Sequence, residues 1–344
     1  MQIQENVELA KYSTMGLGGK ARYLTEISSR GELIDACEFA KSKELPCLAV
    51  GSGSNITWRD EGYPGLIIIS DIKGIEFEWQ TEDEALVTIG SGEIWDNAVE
   101  ACVSEGLSGI EALSLIPGKV GATPVQNVGA YGQEIADTLV QLEAYDMKSD
   151  AIVTISNQDC GFGYRTSRFK TTDRGRFFII TITLKLKKVN PQPPFYSALE
   201  NYFKERNITD FTPQAIRDAV IDIRSHKLPN PKDVHNNGSF FANPIISVTK
   251  FQQLQQDYPD LPHWTLENDM VKIPAAWLIE KSGYKDYHDE HTGMATWANQ
   301  PLVLVNEHAK TTKDLMEFRD KIVKEVKDKF DIDLVQEPEI LPVK

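Results

Sequence analysis

Apolar residues along this chain change period several times, and each change marks an element. Leu33, Ile34, Cys37 and Phe39 stand at near-helical spacing behind Ser29-Arg30-Gly31-Glu32, a capping-box sequence, and a short apolar strand runs from Cys47 to Val50. That order predicts a small α/β unit. A second helix is expected over about Ile94 to Glu105, ended by Gly106 as a left-handed cap.

From Phe178 the period becomes two. Phe178, Ile180, Ile182, Leu184 and Leu186 alternate with Thr181, Thr183, Lys185 and Lys187, the pattern of a half-buried strand. Asn190-Pro191-Gln192-Pro193-Pro194 breaks that strand and reads as a linker. Helices expected over Thr212–Arg224, Ser247–Asp257 and Pro274–Lys281 alternate with apolar runs at Phe240–Ile246 and Leu302–Val305, which predicts a second α/β layer. A last long helix over Thr312–Lys329 places Leu315, Phe318, Ile322 and Val326 on one face, and Leu334 to Leu341 reads as extended. No internal repeat interrupts this order.

Between Gly106 and Gly132 no period holds, and glycines recur at 106, 109, 118, 121, 129 and 132. A connection that long in a compact domain is usually functional. Its Pro117–Gly132 part mixes Gly118, Gly121, Ala122, Gly129 and Ala130 with hydrogen-bonding Thr123, Gln126 and Asn127 and the aromatic Tyr131, a composition suited to a large polar cofactor. Two further stretches, Gly16-Leu17-Gly18-Gly19 and Gly51-Ser52-Gly53-Ser54-Asn55, imitate the dinucleotide fingerprint. The second follows a strand, but Gly62, Pro64 and Gly65 forbid the helix a Rossmann unit needs. Successive backbone N–H groups can still cradle a phosphate there, and a solvent turn is the alternative.

The chain has 344 residues with a formal net charge of -15, so two or three domains and no general affinity for nucleic acid are expected. No run approaches the roughly 18 apolar residues of a membrane span, and no leader pattern opens the chain, which reads as cytoplasmic. Its 4 cysteines, Cys37, Cys47, Cys102 and Cys160, form no CxxC pair and read as buried thiols. His288-Asp289-Glu290-His291 lacks the His-Glu-x-x-His order, and no metal is expected there.

Against the acidic background, Tyr164-Arg165-Thr166-Ser167-Arg168-Phe169-Lys170 and Arg224-Ser225-His226-Lys227 stand out as basic. Each alone is ordinarily a solvated charge cluster; together they favour an anionic ligand such as phosphate. Ser239, in Asn-Gly-Ser-Phe-Phe, lies outside a hydrolase elbow and by itself reads as a turn or strand-edge serine. Around Glu337-Pro338-Glu339, apolar Leu334, Val335, Ile340 and Leu341 predict an extended segment packed on the body, able to fix one carboxylate in a cleft.

In order along the chain, Thr14-Met15-Gly16-Leu17-Gly18-Gly19, Gly51–Asn55, Pro117–Gly132, Gly163-Tyr164-Arg165-Thr166-Ser167, Gly238-Ser239-Phe240-Phe241 and Glu337-Pro338-Glu339 resemble the UDP-N-acetylenolpyruvoylglucosamine reductase (MurB) family. Tyr196-Ser197-Ala198-Leu199 resembles the form of that family carrying an inserted Tyr-x-x-Leu. The resemblance implies an α+β protein: an FAD-binding fold of the vanillyl-alcohol-oxidase/PCMH type made of two α/β subdomains, 1–67 and 68–227 with 330–344, and a separate α+β substrate-binding domain, 228–329. It implies FAD as cofactor and NADPH as co-substrate, with hydride from reduced FAD and a proton from Ser239 converting the enolpyruvyl ether of UDP-GlcNAc to UDP-N-acetylmuramate for peptidoglycan synthesis.

By the same resemblance Arg165 and Glu339 polarise the substrate carboxylate, and Tyr164, Tyr196, Lys227, Asn243 and Gln300 bind substrate. Gly51, Ser52, Gly53, Ser54, Asn55, Pro117, Gly118, Gly121, Ala122, Thr123, Gln126, Asn127, Gly129, Ala130 and Tyr131 bind the cofactor. UDP-GlcNAc-enolpyruvate and NADPH are expected to share one site on a monomer that meets neither membrane nor nucleic acid. Ser13, Lys119 and Ala242 depart from the family pattern. The alternatives are an oxygen-using flavin oxidase of the same superfamily and a non-catalytic UDP-sugar-binding protein.

Overall fold

The structure is a computed structural model and describes residues 1–343. The chain forms two compact units. Unit 1 comprises Met1–Val7, Ala21–Ser52 and Pro64–Arg224; unit 2 comprises Glu8–Lys20, Gly53–Tyr63 and the chain from Ser225 onward.

Unit 1 begins with a sheet in the order Ile3–Glu8, Lys20–Ile27, Tyr63–Ser70, Cys47–Val50, the last two parallel. On it lies the expected helix, Arg30–Ser42, whose Leu33, Ala36, Cys37 and Ala40 pack with Leu66 and Ile68. The capping box is half made. Ser29 Oγ accepts from Glu32 N, but the Glu32 carboxylate turns to the Met1 amino group and Ser28 N.

A five-stranded antiparallel sheet follows, ordered Ala151–Ser156, Leu139–Asp146, Phe177–Lys187, Glu84–Gly90, Ile75–Trp79. The Phe177–Lys187 strand keeps the predicted alternation. Its Phe178 and Ile180 belong to the core of the first sheet, while Ile182, Leu184 and Leu186 belong to that of the second. One strand therefore spans both cores. Trp95–Ser104 is the second helix, closed by Gly106 at φ 75°. Asn190–Pro194 does not separate the units: Phe195 packs on Phe203 and Phe211, and the helices Ser197–Arg206 and Pro213–Lys227 complete a small core within unit 1.

Unit 2 is organised by the Thr312–Phe330 helix. Its Leu315, Phe318, Ile322, Val326 and Phe330 are at most 2% exposed, and each is worth roughly 1.5–3 kcal/mol of burial. A full capping box joins Thr311 and Asp314, and the Asp60 carboxylate accepts from Thr312 N and Lys313 N, a negative charge at a helix N-terminus. One antiparallel sheet runs His235–Ser239, Gln300–Asn306, Met294–Trp297, His288–Asp289; another runs Ile245–Ser247, Met270–Lys272, Trp264–Thr265. The apolar run Phe240–Ile246 is thus not one element. It leaves the first sheet after Ser239, and Phe240 and Phe241 turn into the core. Glu339–Leu341 pairs in parallel with Ile56–Trp58.

Candidate active site

In unit 1 the glycine-rich stretch owes its course to carbonyls and amides of distant elements. Gly121 N donates to Ser91 O (3.0 Å), Val120 N to Glu93 O (2.9 Å), and Trp95 N to Gly118 O (3.0 Å), so Pro117–Gly121 is pinned against the entry to the Trp95–Ser104 helix. Val120–Ala122 forms one 3-10 turn, Thr123 Oγ1 donates to Val120 O, and Pro124–Asn127 continues as turns containing Gln126. Buried Asn127 fixes the far end. Its Nδ2 donates to Glu134 Oε2 (2.6 Å) and Gly163 O (3.3 Å), and its Oδ1 accepts from Ala136 N.

A Cβ on Gly51 would stand 3.3 Å from Ala122 Cβ and 3.6 Å from Lys119 Cβ. The Gly51-Ser52 backbone and the 119–122 turn thus face one another with no side chain between. Lys119 Nζ is folded away, donating to Ser70 O at 2.5 Å and lying 3.6 Å from Asp71; burial lowers its pKa and Asp71 opposes the shift.

Gly129 and Ala130 form a minimal hairpin with Gln133 and Glu134, and Tyr131 sits at its tip with φ 48°. Arg165 Nη2 donates to Gly129 O at 2.7 Å, and the Arg165 guanidinium lies over the Tyr164 ring. From the same basic segment Ser167 Oγ also donates to Val125 O of this loop, at 2.6 Å. Arg168 pairs with Asp173, the ordinary structural use of a charge. Tyr196 meets Tyr131 edge to face at 5.8 Å, while Leu199, 2% exposed, anchors the helix that follows.

Arg224, visible in the sequence only as part of a basic run, hydrogen-bonds Tyr131. Burial lowers its pKa, and its Nε is buried without a hydrogen-bond partner. A guanidinium, two phenols and the Arg165 cation thus gather on unit 1, an arrangement that attracts anions.

Unit 2 carries other candidate residues. Gly53 has φ 70°, and a Cβ there would overlap the Tyr12 carbonyl. Asn237, 4% exposed, locks the loop from the side: Nδ2 donates to Thr14 Oγ1 (3.0 Å) and Ile56 O (3.2 Å) and lies 3.4 Å from Gly53 O and Ser54 O, and Oδ1 accepts from Thr57 Oγ1 (2.7 Å). Ser13 Oγ donates to Ile56 O. Ser239 ends its strand opposite Val303. Beyond it, Phe240 O accepts from Glu337 N, Phe241 bridges to Gln336, and Ala242 N donates to Val335 O.

Two residues past Glu337, Glu339 N donates to Asn55 O at 3.0 Å. Ser239, Asn55 and Glu339 therefore stand on neighbouring backbones, and the expected extended segment is present with Pro338 buried. Asn299 Nδ2 donates to His226 O, which brings the backbones at Lys227 and Gln300 close. Asn243 Oδ1 accepts from Ala275 N at the start of the Ala275–Lys281 helix. His288 and His291 face Glu307 and Glu317 at 3.0 and 3.2 Å.

The chain matches a family described as "FAD binding domain" over residues 21–156 and one described as "UDP-N-acetylenolpyruvoylglucosamine reductase, C-terminal domain" over 230–341. It is 38% identical over 343 residues to the UDP-N-acetylenolpyruvoylglucosamine reductase of Amoebophilus asiaticus, covering 99% of both chains, and 36% identical over 341 residues to that of Neisseria meningitidis, covering 99% of this chain and 98% of the relative. In fold it is similar to the crystal structure of UDP-N-acetylenolpyruvylglucosamine reductase (MurB) from Thermus caldophilus, with TM-score 0.68 and 24% identity over 99% of this chain and 100% of that one.

Fold and sequence thus define an FAD-dependent oxidoreductase, in which an FAD-binding domain is followed by an α+β C-terminal domain. The space between Gly51 and Ala122, which a Cβ on Gly51 would fill, fits such a group. The chain belongs to the UDP-N-acetylenolpyruvoylglucosamine reductase family.

Proposed function

We propose that this chain reduces the enolpyruvyl ether of UDP-GlcNAc to UDP-N-acetylmuramate with NADPH as reductant. FAD, when bound, supplies the hydride chemistry. The carbon bearing the substrate carboxylate then gathers negative charge. Arg165 and Glu339 hold and polarise that carboxylate, and the Ser239 hydroxyl holds the proton the carbon takes.

Tyr164, Tyr196, Lys227, Asn243 and Gln300 bind the UDP-linked substrate. Gly51–Asn55, Pro117, Gly118, Gly121–Thr123, Gln126, Asn127 and Gly129–Tyr131 hold the cofactor. The observation that carries this reading is the C-terminal strand, which sets Glu339 beside Asn55 and its leader beside the residues after Ser239.

The proposal extends to one site shared in turn by NADPH and substrate, a monomeric state, a cytoplasmic location, and a division into FAD-binding subdomains 1–67 and 68–227 with 330–344 and a substrate domain 228–329. No helix among the described residues is long and apolar enough to cross a membrane.

Anaerobic spectroscopy tests the assignment. Ser239→Ala should still be bleached by NADPH at close to the normal rate, while recovery of colour on adding the enolpyruvyl ether slows by about 10²–10⁴-fold. Equal slowing of both halves would remove Ser239 from its role. Recovery with oxygen but not with the ether would favour an oxidase.

A further inference from the structure

The hairpin that carries Tyr131 is tied to a carboxylate that the proposed chemistry leaves unused. Glu111, in the 3-10 turn Glu111–Leu113, is fully buried. Three donors hold it: Oε2 accepts from Gly109 N (2.6 Å), and Oε1 accepts from Ser108 Oγ (3.2 Å) and Gln133 Nε2 (2.9 Å). Gln133 closes the clasp, its Oε1 accepting from Ala112 N (2.8 Å). A buried carboxylate is tolerated only where its oxygens are hydrogen-bonded, so Glu111 and Gln133 fix one another.

Gln133 is also part of the hairpin. It pairs with Ala130, and Glu134 pairs with Gly129. Gly129 O in turn accepts from Arg165 Nη2 (2.7 Å), and a Cβ on Gly129 would come within 2.9 Å of Arg165 Nη1, so the guanidinium lies directly on this residue. The Arg165 backbone has φ 55°, in a turn closed by Gly163 N to Thr166 O (3.1 Å) and Thr166 N to Gly163 O (3.2 Å). A residue with a side chain keeps that conformation only where its surroundings hold it.

We infer that Glu111 and Gln133 are positioning residues for Arg165: through the hairpin they fix Gly129 O, and Gly129 O fixes the guanidinium in the orientation that binds the carboxylate of the enolpyruvyl ether. The inference rests on the role given to Arg165 under the proposed function. A guanidinium presents its donors in a rigid planar fork, so docking one nitrogen on a fixed carbonyl sets the direction of the others. Without the clasp Arg165 keeps its charge and loses its aim.

The test is equilibrium binding, by calorimetry, to the oxidised, FAD-loaded full chain without NADPH, so that no turnover occurs. Two ligands are compared, UDP-GlcNAc-enolpyruvate and UDP-GlcNAc, which lacks the carboxylate. Gln133→Ala should weaken binding of the enolpyruvyl ether about 10-fold and leave UDP-GlcNAc little changed. Glu111→Gln, nearly isosteric but turning an NH2 toward one of the three donors, should act in the same direction. In an Arg165→Ala background, which should already have lost the preference for the ether, Gln133→Ala should add nothing. Equal weakening of both ligands, or a full further loss in that background, would overturn the positioning role. An Arg165→Ala chain that keeps the preference would instead sink the carboxylate-binding role of Arg165, and this inference with it.

Discussion

Asn237 does more for the glycine loop than any glycine in it. Its amide carries both a donor side, facing Thr14 and the carbonyls of Gly53–Ile56, and an acceptor side, facing Thr57. Asn237→Ala would leave the Thr57 hydroxyl and the Ile56 carbonyl buried with fewer partners, a cost of about 2–3 kcal/mol. Thermal denaturation should show that loss, and fluorescence titration of the apoprotein should show weaker FAD binding; unchanged binding would confine Asn237 to stability. Nothing local in the sequence advertises this residue, because Thr57 is 180 positions away and Thr14 is 223. Arg224 was equally hidden: it lay in a visible basic run, but its contact with Tyr131 depends on where the Pro213–Lys227 helix packs. Ser239, Arg165 and Glu339 drew notice in the sequence only through the order of several short motifs, since none of those motifs is distinctive alone.

Elements whose defining pattern lies within their own residues were readable in advance. The Thr312–Phe330 helix carries its cap and its apolar face within its own residues, and the Phe177–Lys187 strand its alternation. Where the partners are remote, as for Val120 on Glu93 or Phe240 on Leu302, no period could mark the break. The sheet also contains an ion pair with a pH signature. Asp146, 3% exposed, accepts both Arg176 Nε (2.8 Å) and Nη2 (2.7 Å), and that pairing holds its carboxyl well below the usual carboxylate range against the opposing effect of burial. A depressed folded pKa contributes stability above the unfolded value, near 4, and loses it as pH falls. Asp146→Asn should therefore cost about 1–3 kcal/mol at neutral pH, Arg176 being partly screened by solvent, and flatten the dependence of Tm on pH in the acid range. An unaltered acid slope would assign that slope to other carboxylates.

At the scale of the molecule, the two units are threaded through one another in sequence. Unit 2 draws Met15 and Leu17 of its core from the first twenty residues and the partner of its last strand from Ile56–Trp58. A fragment beginning at Ser225 should consequently fail to fold, with a random-coil circular dichroism spectrum and no cooperative melting; a folded fragment would show that the two early segments are accessories. The pairing of Glu339–Leu341 with Ile56–Trp58 has a temporal meaning too. Arg59 and Pro342, joined through Arg59 Nε, lie 283 positions apart, so during synthesis on the ribosome the Gly53–Asn55 loop waits for that length of chain before its flanking strand arrives. A chain released before Glu339 would carry every glycine of the loop and still lack the strand that flanks it, so this part of the fold closes only late in synthesis.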